Sequence, residues 1–442
     1  MKKDILCFLL LSSMTFLQVG CSHDKDVVLG NTDTGDTETP GDTGIVDDNV
    51  DEQNWSDTLS IVWSGASATV TGSNDSLEIT NNNGYVSINS SVTGTHIVYL
   101  LSGNGTGQLS IYGSYRHNIT LSGLTLTCSD GPAINNQCHK KCYLVINGTN
   151  TLTDGSSYAS SSEDRKSAFF SEGQIITSGA GTLNIKGNYK NGLCSDDYIH
   201  FTESTGTLNI TAVNKGIEAN DGIYFEGGTF VINAGSEGIE SDSVLVISGG
   251  EIYVKSADDA INSGADLTIT GGMVCAYSTG NDGMDANGNC YIKGGLIYAI
   301  GARSPEVAID ANSEERKQLY VTGGTIVAVG SLESGASLTQ ACYQASGTTN
   351  TWYALTVGNA IFAFKTPSSN ASTLVVSGAS TPTLHKSVTP SGTAIFNGMG
   401  YYPATYSGGS SVTLSTYSGN SGGGPGGGGP GGGPGGGGPG GW

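Results

Sequence analysis

Positive charge is scarce in this chain: 18 Lys and Arg stand against 39 Asp and Glu, a formal net charge of −21 over 442 residues. Nucleic acid needs a basic face, so that class of partner is excluded. Helical periodicity is missing too. No stretch repeats apolar residues at a 3.6-residue spacing over several turns, which excludes helical bundles and helical solenoids. The apolar run at 5–17 is too short to span a bilayer, and no other segment is long and apolar enough to cross as a helix. Cysteine is present but unsuited to a full disulfide framework. Nine minus Cys7 and Cys21, near the N-terminus, leaves an odd number that cannot all pair. Cys138 and Cys142 flank His139, but no second Cys or His pair with matching spacing exists to complete a four-ligand zinc site.

Glycine is abundant, at 69 residues, and it is periodic. Register marks at Gly206, Gly228, Gly250, Gly272 and Gly295 recur every 22 to 23 residues. Between them lie Gly216-Ile217-Glu218-Ala219, Gly238-Ile239-Glu240-Ser241, Ala260-Ile261-Asn262-Ser263, Gly283-Met284-Asp285-Ala286 and Ala308-Ile309-Asp310-Ala311. A unit this short cannot bury its own apolar face, so copies must stack, and each unit reads as one coil of a parallel β-helix. Four columns are expected to fill the interior. They run through Leu208, Phe230, Ile252, Val274 and Ile297, through Ile210, Ile232, Val254, Ala276 and Ala299, through Ile217, Ile239, Ile261, Met284 and Ile309, and through Phe225, Ile247, Ile269, Ile292 and Val321. Cys290 falls on an inward column with Leu267 and Leu319 and reads as a small core residue. The insertion 156–166 is expected to bulge out from a corner.

Residues beside an inward side chain face solvent, and here they are acidic. Glu218, Glu240, Asn262, Asp285 and Asp310 form one outward column; Lys215, Glu237, Asp259 and Asp282 form a second, with Asp258 at the same corner. Rungs ~4.8 Å apart place like charges where they repel by roughly 3 kcal/mol at an effective dielectric of 20. Calcium, which takes six to eight oxygens in loose geometry, would relieve this. Candidate ligands are Glu218, Glu237, Glu240, Asp258, Asp259, Asp282, Asp285 and Asp310; the alternative is a solvated acidic face that discourages sheet aggregation. Outward tyrosines, Tyr253 and Tyr298 on one strand and Tyr224, Tyr291 and Tyr320 on another, are candidates to stack on sugar rings.

The flanks differ in composition. Lys2-Lys3, the apolar run and Gly20-Cys21 resemble a bacterial lipoprotein signal (1–20) with Cys21 as the lipidated residue, and Ser22-His23-Asp24-Lys25-Asp26 resembles the acidic signal for export to the outer cell surface. An outer-membrane lipoprotein on the cell surface is therefore expected, touching the membrane only through its lipid. Residues 21–57 read as an acidic disordered tether, 58–330 as the β-helix, 331–418 as a β-rich cap over its open end, and 419–442 as a disordered Gly/Pro-rich tail.

Residues Gly131-Pro132-Ala133-Ile134, Leu144 to Gly155 with its Asn-Thr-Leu-Thr-Asp-Gly stretch, Ala168-Phe169-Phe170-Ser171 and the repeats up to Gly324 resemble a family of bacterial β-helix carbohydrate-binding proteins with a pectate-lyase-like fold. The resemblance implies an all-β, right-handed parallel β-helix that binds calcium. It also implies non-catalytic binding of acidic plant polysaccharide such as polygalacturonate, or of cellulose. Asp259, Asp282 and Asp285 stand where the family pattern is acidic, whereas Lys215 and Val307 depart from it. No catalytic residue is assigned. A calcium-dependent lyase would need a base, for which Lys190, Lys215, Lys255, Lys293 and Arg303 are the candidates. A third possibility is a surface spacer or adhesin.

Overall fold

The structure is a computed structural model that describes residues 55–94 and 96–419. Cys21, the signal segment and the Gly/Pro tail beyond 419 lie outside the described residues, as does the expected tether up to residue 54. Regular structure begins earlier than expected: Trp55 already starts the strand Trp55–Gly65, which pairs in parallel with His96–Thr106.

The described chain is β throughout, with single 3-10 turns at Ser313–Glu315 and Phe396–Gly398. It winds into a parallel β-solenoid of about nine turns. A typical coil has three strands, for example Thr207–Ala212, Ile217–Ala219 and Gly222–Phe225. The middle strands stack as a separate ten-stranded sheet. All four expected columns are in register, coil on coil, with Ile309 joining its column through a bridge to Met284. Their side chains are fully or almost fully buried, Cys290 among them. Five successive coils turn at Gly-Gly pairs, from Gly227-Gly228 to Gly323-Gly324. The second glycine takes a left-handed backbone (Gly250 at φ 88°), and a Cβ on the first would sit 2.0 Å from the preceding coil's carbonyl at Gly249.

One expectation is refined and another corrected. The insertion 156–166 is an irregular, mostly exposed loop, as expected, but it is tied down. It lies back along the coils, where Glu163 accepts hydrogen bonds from Tyr112 Oη (2.7 Å) and Asn135 Nδ2 (3.0 Å). The C-terminal region also does more than close an end. Thr373–Ser377 adds antiparallel to the last solenoid strand, Thr325–Val329, and to Cys342–Ser346. Trp352–Val357, Ala360–Lys365, Thr383–Ile395 and Gly400–Val412 then close a small barrel. That barrel leans on the flank of the solenoid. Phe362 and Phe364 pack on Tyr298, and the Phe396 N–H donates to Glu251 Oε1, 145 residues earlier.

Tyr298 fastens the two parts. It is fully buried, and its hydroxyl donates to the Lys365 carbonyl at 2.7 Å. Truncation to Ala should cost about 3–5 kcal/mol through lost burial and a cavity, whereas Tyr298→Phe should cost about 1 kcal/mol through the hydrogen bond alone. Denaturant titration of the two variants checks this; equal losses would mean that ring packing does not hold the barrel in place.

Candidate functional site

Each outward acid of the middle strands is placed by the buried Ile or Met before it, which pins the strand and aims the next side chain away from the core. Glu218, Glu240, Asn262 and Asp285 are consecutive register partners, and Asp310 follows Asp285 through the Ile309 bridge. The expected strip therefore exists, but it divides into two chemically different halves.

In the first half lysines supply the positive charge. Lys215 Nζ lies 3.0 Å from Glu218 Oε1 and 2.6 Å from Glu240 Oε2. Lys166, at the end of the insertion, reaches Asp196 at 3.1 Å and Glu218 at 3.7 Å. Asn191 and Cys194 donate the remaining hydrogen bonds to Glu218 Oε2. Burial pushes the Glu218 carboxyl upward, but the two lysines outweigh it and hold the group below its ordinary value. Burial likewise opposes charge on Lys215, yet its bonds to Glu240 and Glu218 raise its pKa further. Lys215 thus engages both expected ligands Glu218 and Glu240, which sets them apart from acids without a basic partner, although burial leaves the Glu240 carboxyl raised. Glu237 accepts a hydrogen bond from Ser236 (2.6 Å) and stands apart from the gathered acids, as does Asp258.

The second half has no such compensation. One ligand oxygen each from Asp282, Asp285 and Asp310 come within 4.8 Å of one another, and this is the group of potential metal ligands that gathers among the described residues. The Cys138–Cys142 segment forms no comparable group; all seven described cysteines are buried free thiols. Asp259 sits one coil away and its Oδ1 accepts the Asp282 N–H at 2.8 Å. Asp282 in turn accepts the Val307 N–H. Burial, with neighbouring carboxylates adding, raises Asp259 to about 8 and Asp282 to about 7. Burial also raises Asp285 and Asp310, the latter helped by its hydrogen bond with Glu333. Among the described residues no lysine or arginine pairs with these three acids. Asn262 Oδ1, the neighbouring rung, is buried and has no hydrogen-bond donor. Glu333 was missed by sequence reading. Its signal was available, because Leu332-Glu333 repeats Ile309-Asp310 one period later and Ile309 bridges to Leu332.

The tyrosines separate in the same way. Tyr253 and Tyr298 are corrected: both are buried under the barrel, in one cluster with Phe362 and Phe364, and cannot meet a sugar. Tyr224, Tyr291 and Tyr320 stay half-exposed. Tyr291 and Tyr320 lie 5.0 Å apart at 10°, too close to be side by side, so they overlap and share a face instead of forming a broad platform. The Asn-Thr-Leu-Thr-Asp-Gly stretch proves structural. Asn150 is fully buried and accepts the Leu124 N–H at 2.9 Å, while buried Asp154 accepts Tyr158 Oη at 2.7 Å and the Asn188 N–H.

A family model described as "Carbohydrate-binding domain-containing protein" matches residues 82–335 and again 237–371. The chain belongs to this carbohydrate-binding family. The matched span contains every coil of the acidic strip and stops inside the barrel. Among solved structures the chain is similar to a polysaccharide lyase-like protein from C. thermocellum, solved as a gadolinium derivative. The identity is 21%, over 57% of this chain and 99% of that one, with a TM-score of 0.46. No curated protein matches it in sequence.

The ion network of this carbohydrate-binding domain is testable. Removing Lys215 strands Glu218 and Glu240 as partly buried like charges, so Lys215→Met should destabilise the domain by about 3 kcal/mol. Chemical denaturation measures this. A loss of only a few tenths would mean that Lys166 alone carries the charge balance.

Proposed function

We infer that this domain binds acidic polysaccharide, of the polygalacturonate type, without cleaving it, and that calcium held by Asp282, Asp285 and Asp310 assists. The observation that carries this reading is the convergence of three carboxylates with no basic partner beside an unsatisfied amide oxygen on Asn262. That donor set, all oxygen and net negative, suits a hard divalent cation. Asp282, Asp285 and Asp310 would hold the ion, with Asn262 and Asp259 adjacent. Bound there, calcium would reverse the local sign and give a uronate carboxylate a partner on a strongly acidic protein. Anchoring through Cys21 at the outer cell surface belongs to the same proposal and would place the domain where extracellular glycan is met.

A binder is favoured over a lyase because of Lys215. Among the candidate bases it alone stands in the acidic strip, and its two carboxylate partners hold it protonated, the wrong state for abstracting a proton. Incubation with polygalacturonate and calcium should give no rise in absorbance from unsaturated products. Steady release would replace the binder with a lyase.

The cation makes a signed pH prediction. Asp282 and Asp259 titrate higher in the folded chain than unfolded, so between the ordinary carboxylate range and about 8 the native state holds more protons than the unfolded one. Stability without metal must then fall as pH rises across that window. Melting in chelator should show the melting temperature declining from pH 5 toward pH 8, while Asp282→Asn flattens the slope. At a calcium concentration a hundred times its Kd, about 2.7 kcal/mol should be regained at neutral pH. Melting curves unaffected by calcium would reject the ion. Asp282→Ala with Asp285→Ala should stay folded and lose the calcium-dependent part of polygalacturonate binding, and undiminished binding in chelator would remove the bridge.

A further inference from the structure

Between the loop 302–306 of the last coils and the segments 347–349 and 370–373 that flank the first barrel hairpin, a cleft of about 670 Å³ opens. This volume lies within the roughly 300–1,000 Å³ usual for ligand sites. The solenoid side contributes Arg303, Ser304 and Glu306; the C-terminal side contributes Thr348, Thr349 and Asn370. Glu306 directly precedes Val307, whose N–H binds Asp282, so the chain runs from the cleft lining straight into a contact of the acid group. Its lining is mainly hydroxyl, amide and backbone with small residues such as Gly330 and Gly347, and it carries one base, Arg303, and one acid, Glu306. Such a surface matches a polyhydroxylated ligand and gives an apolar one little to bury.

Arg303 is the distinguishing group. It is exposed and has no ion-pair or hydrogen-bond partner among the described residues, in a chain with more than two acids for every base. An exposed planar guanidinium lining a polar cleft suits a carboxylate presented in two-point fashion. We propose that this cleft is an oligosaccharide subsite in which Arg303 takes the carboxylate of a uronic acid residue while Thr348, Thr349 and Asn370 meet its hydroxyls. The C-terminal region is thereby part of the binding surface as well as a cover for the solenoid. The inference rests on the polysaccharide-binding reading but does not need the metal.

Calorimetry with trigalacturonate and with its methyl ester, each in calcium and in chelator, tests it. Arg303→Gln should weaken trigalacturonate ~10- to 100-fold, as expected for a lost hydrogen bond to a charged group. It should leave the neutral ester and the calcium-induced rise in melting temperature unchanged. Thr349→Trp, also at an exposed position, should fill the cleft and weaken both sugars. Unaltered trigalacturonate affinity in either variant, or no binding of trigalacturonate by the unmodified protein, overturns the subsite. The two readings fail separately. A neutral Arg303→Gln beside a damaging Asp282/Asp285 double variant removes the cleft and keeps the cation, and the reverse pattern keeps the cleft alone.

Discussion

Every property of this domain follows from stacking one coil directly on another. A parallel ladder puts equivalent side chains of successive coils about 4.8 Å apart, so an outward residue is never isolated: its nearest neighbour is its own counterpart. Each column must therefore tolerate contact between like and like. Apolar columns do so without cost and fill the interior. Amides do so by donating to one another, as Asn209 Nδ2 does to Asn184 Oδ1 at 3.0 Å. Aromatic rings do so by overlapping, as inside at Phe201 and Phe225 (4.7 Å) and outside at Tyr291 and Tyr320. Like charges alone have no such solution.

The acidic column shows two answers to that problem within one molecule. At Glu218 and Glu240 a lysine from the neighbouring column and another from an insertion supply fixed positive charge. At Asp282, Asp285 and Asp310 nothing does, and the carboxyls are driven toward their protonated forms. A domain selected only for stability would place a lysine or an amide at those positions, since paired or neutral groups cost less to bury than like charges. Uncompensated acids gather here on two successive coils, Asp282 and Asp285 on one and Asp310 on the next, which is the repulsion that the proposed cation would relieve.

The interior was legible because inward positions are decided by the coil itself. Leu208 and Phe230 meet whatever else the chain does, and the period alone sets their register. Outward positions are decided by partners that the period does not contain. The column pattern sets Lys215 beside the acids without showing that it will be drawn between Glu218 and Glu240, and nothing reveals that Lys166, at the end of a non-repeating insertion, will reach the same carboxylate. Charge counting along a column sees the acids and misses bases that arrive from other columns. The acids read as one uniform strip accordingly divide, with Lys215 drawn in at one end and Glu333 joining Asp310 at the other.

The buried tyrosines carry a different lesson, since the covering element leaves its own trace in the column it covers. From Asn184 and Asn209 the outward column of the first strand passes to Val231, Tyr253, Cys275, Tyr298 and Val327. A face left in water has no reason to turn apolar over several consecutive coils, because each exposed apolar side chain invites association. The change from amide to apolar marks where the barrel sits, from Val231 at its margin to Val327 beneath it. Tyrosine at Tyr253 and Tyr298 thus reads with its neighbours as part of a docking face, and only the column without such a run, at Tyr291 and Tyr320, keeps its rings in solvent. The segments 347–349 and 370–373 that line the cleft beside Arg303 lead into and out of the first hairpin of that barrel, so the apolar run and the proposed subsite belong to one C-terminal region.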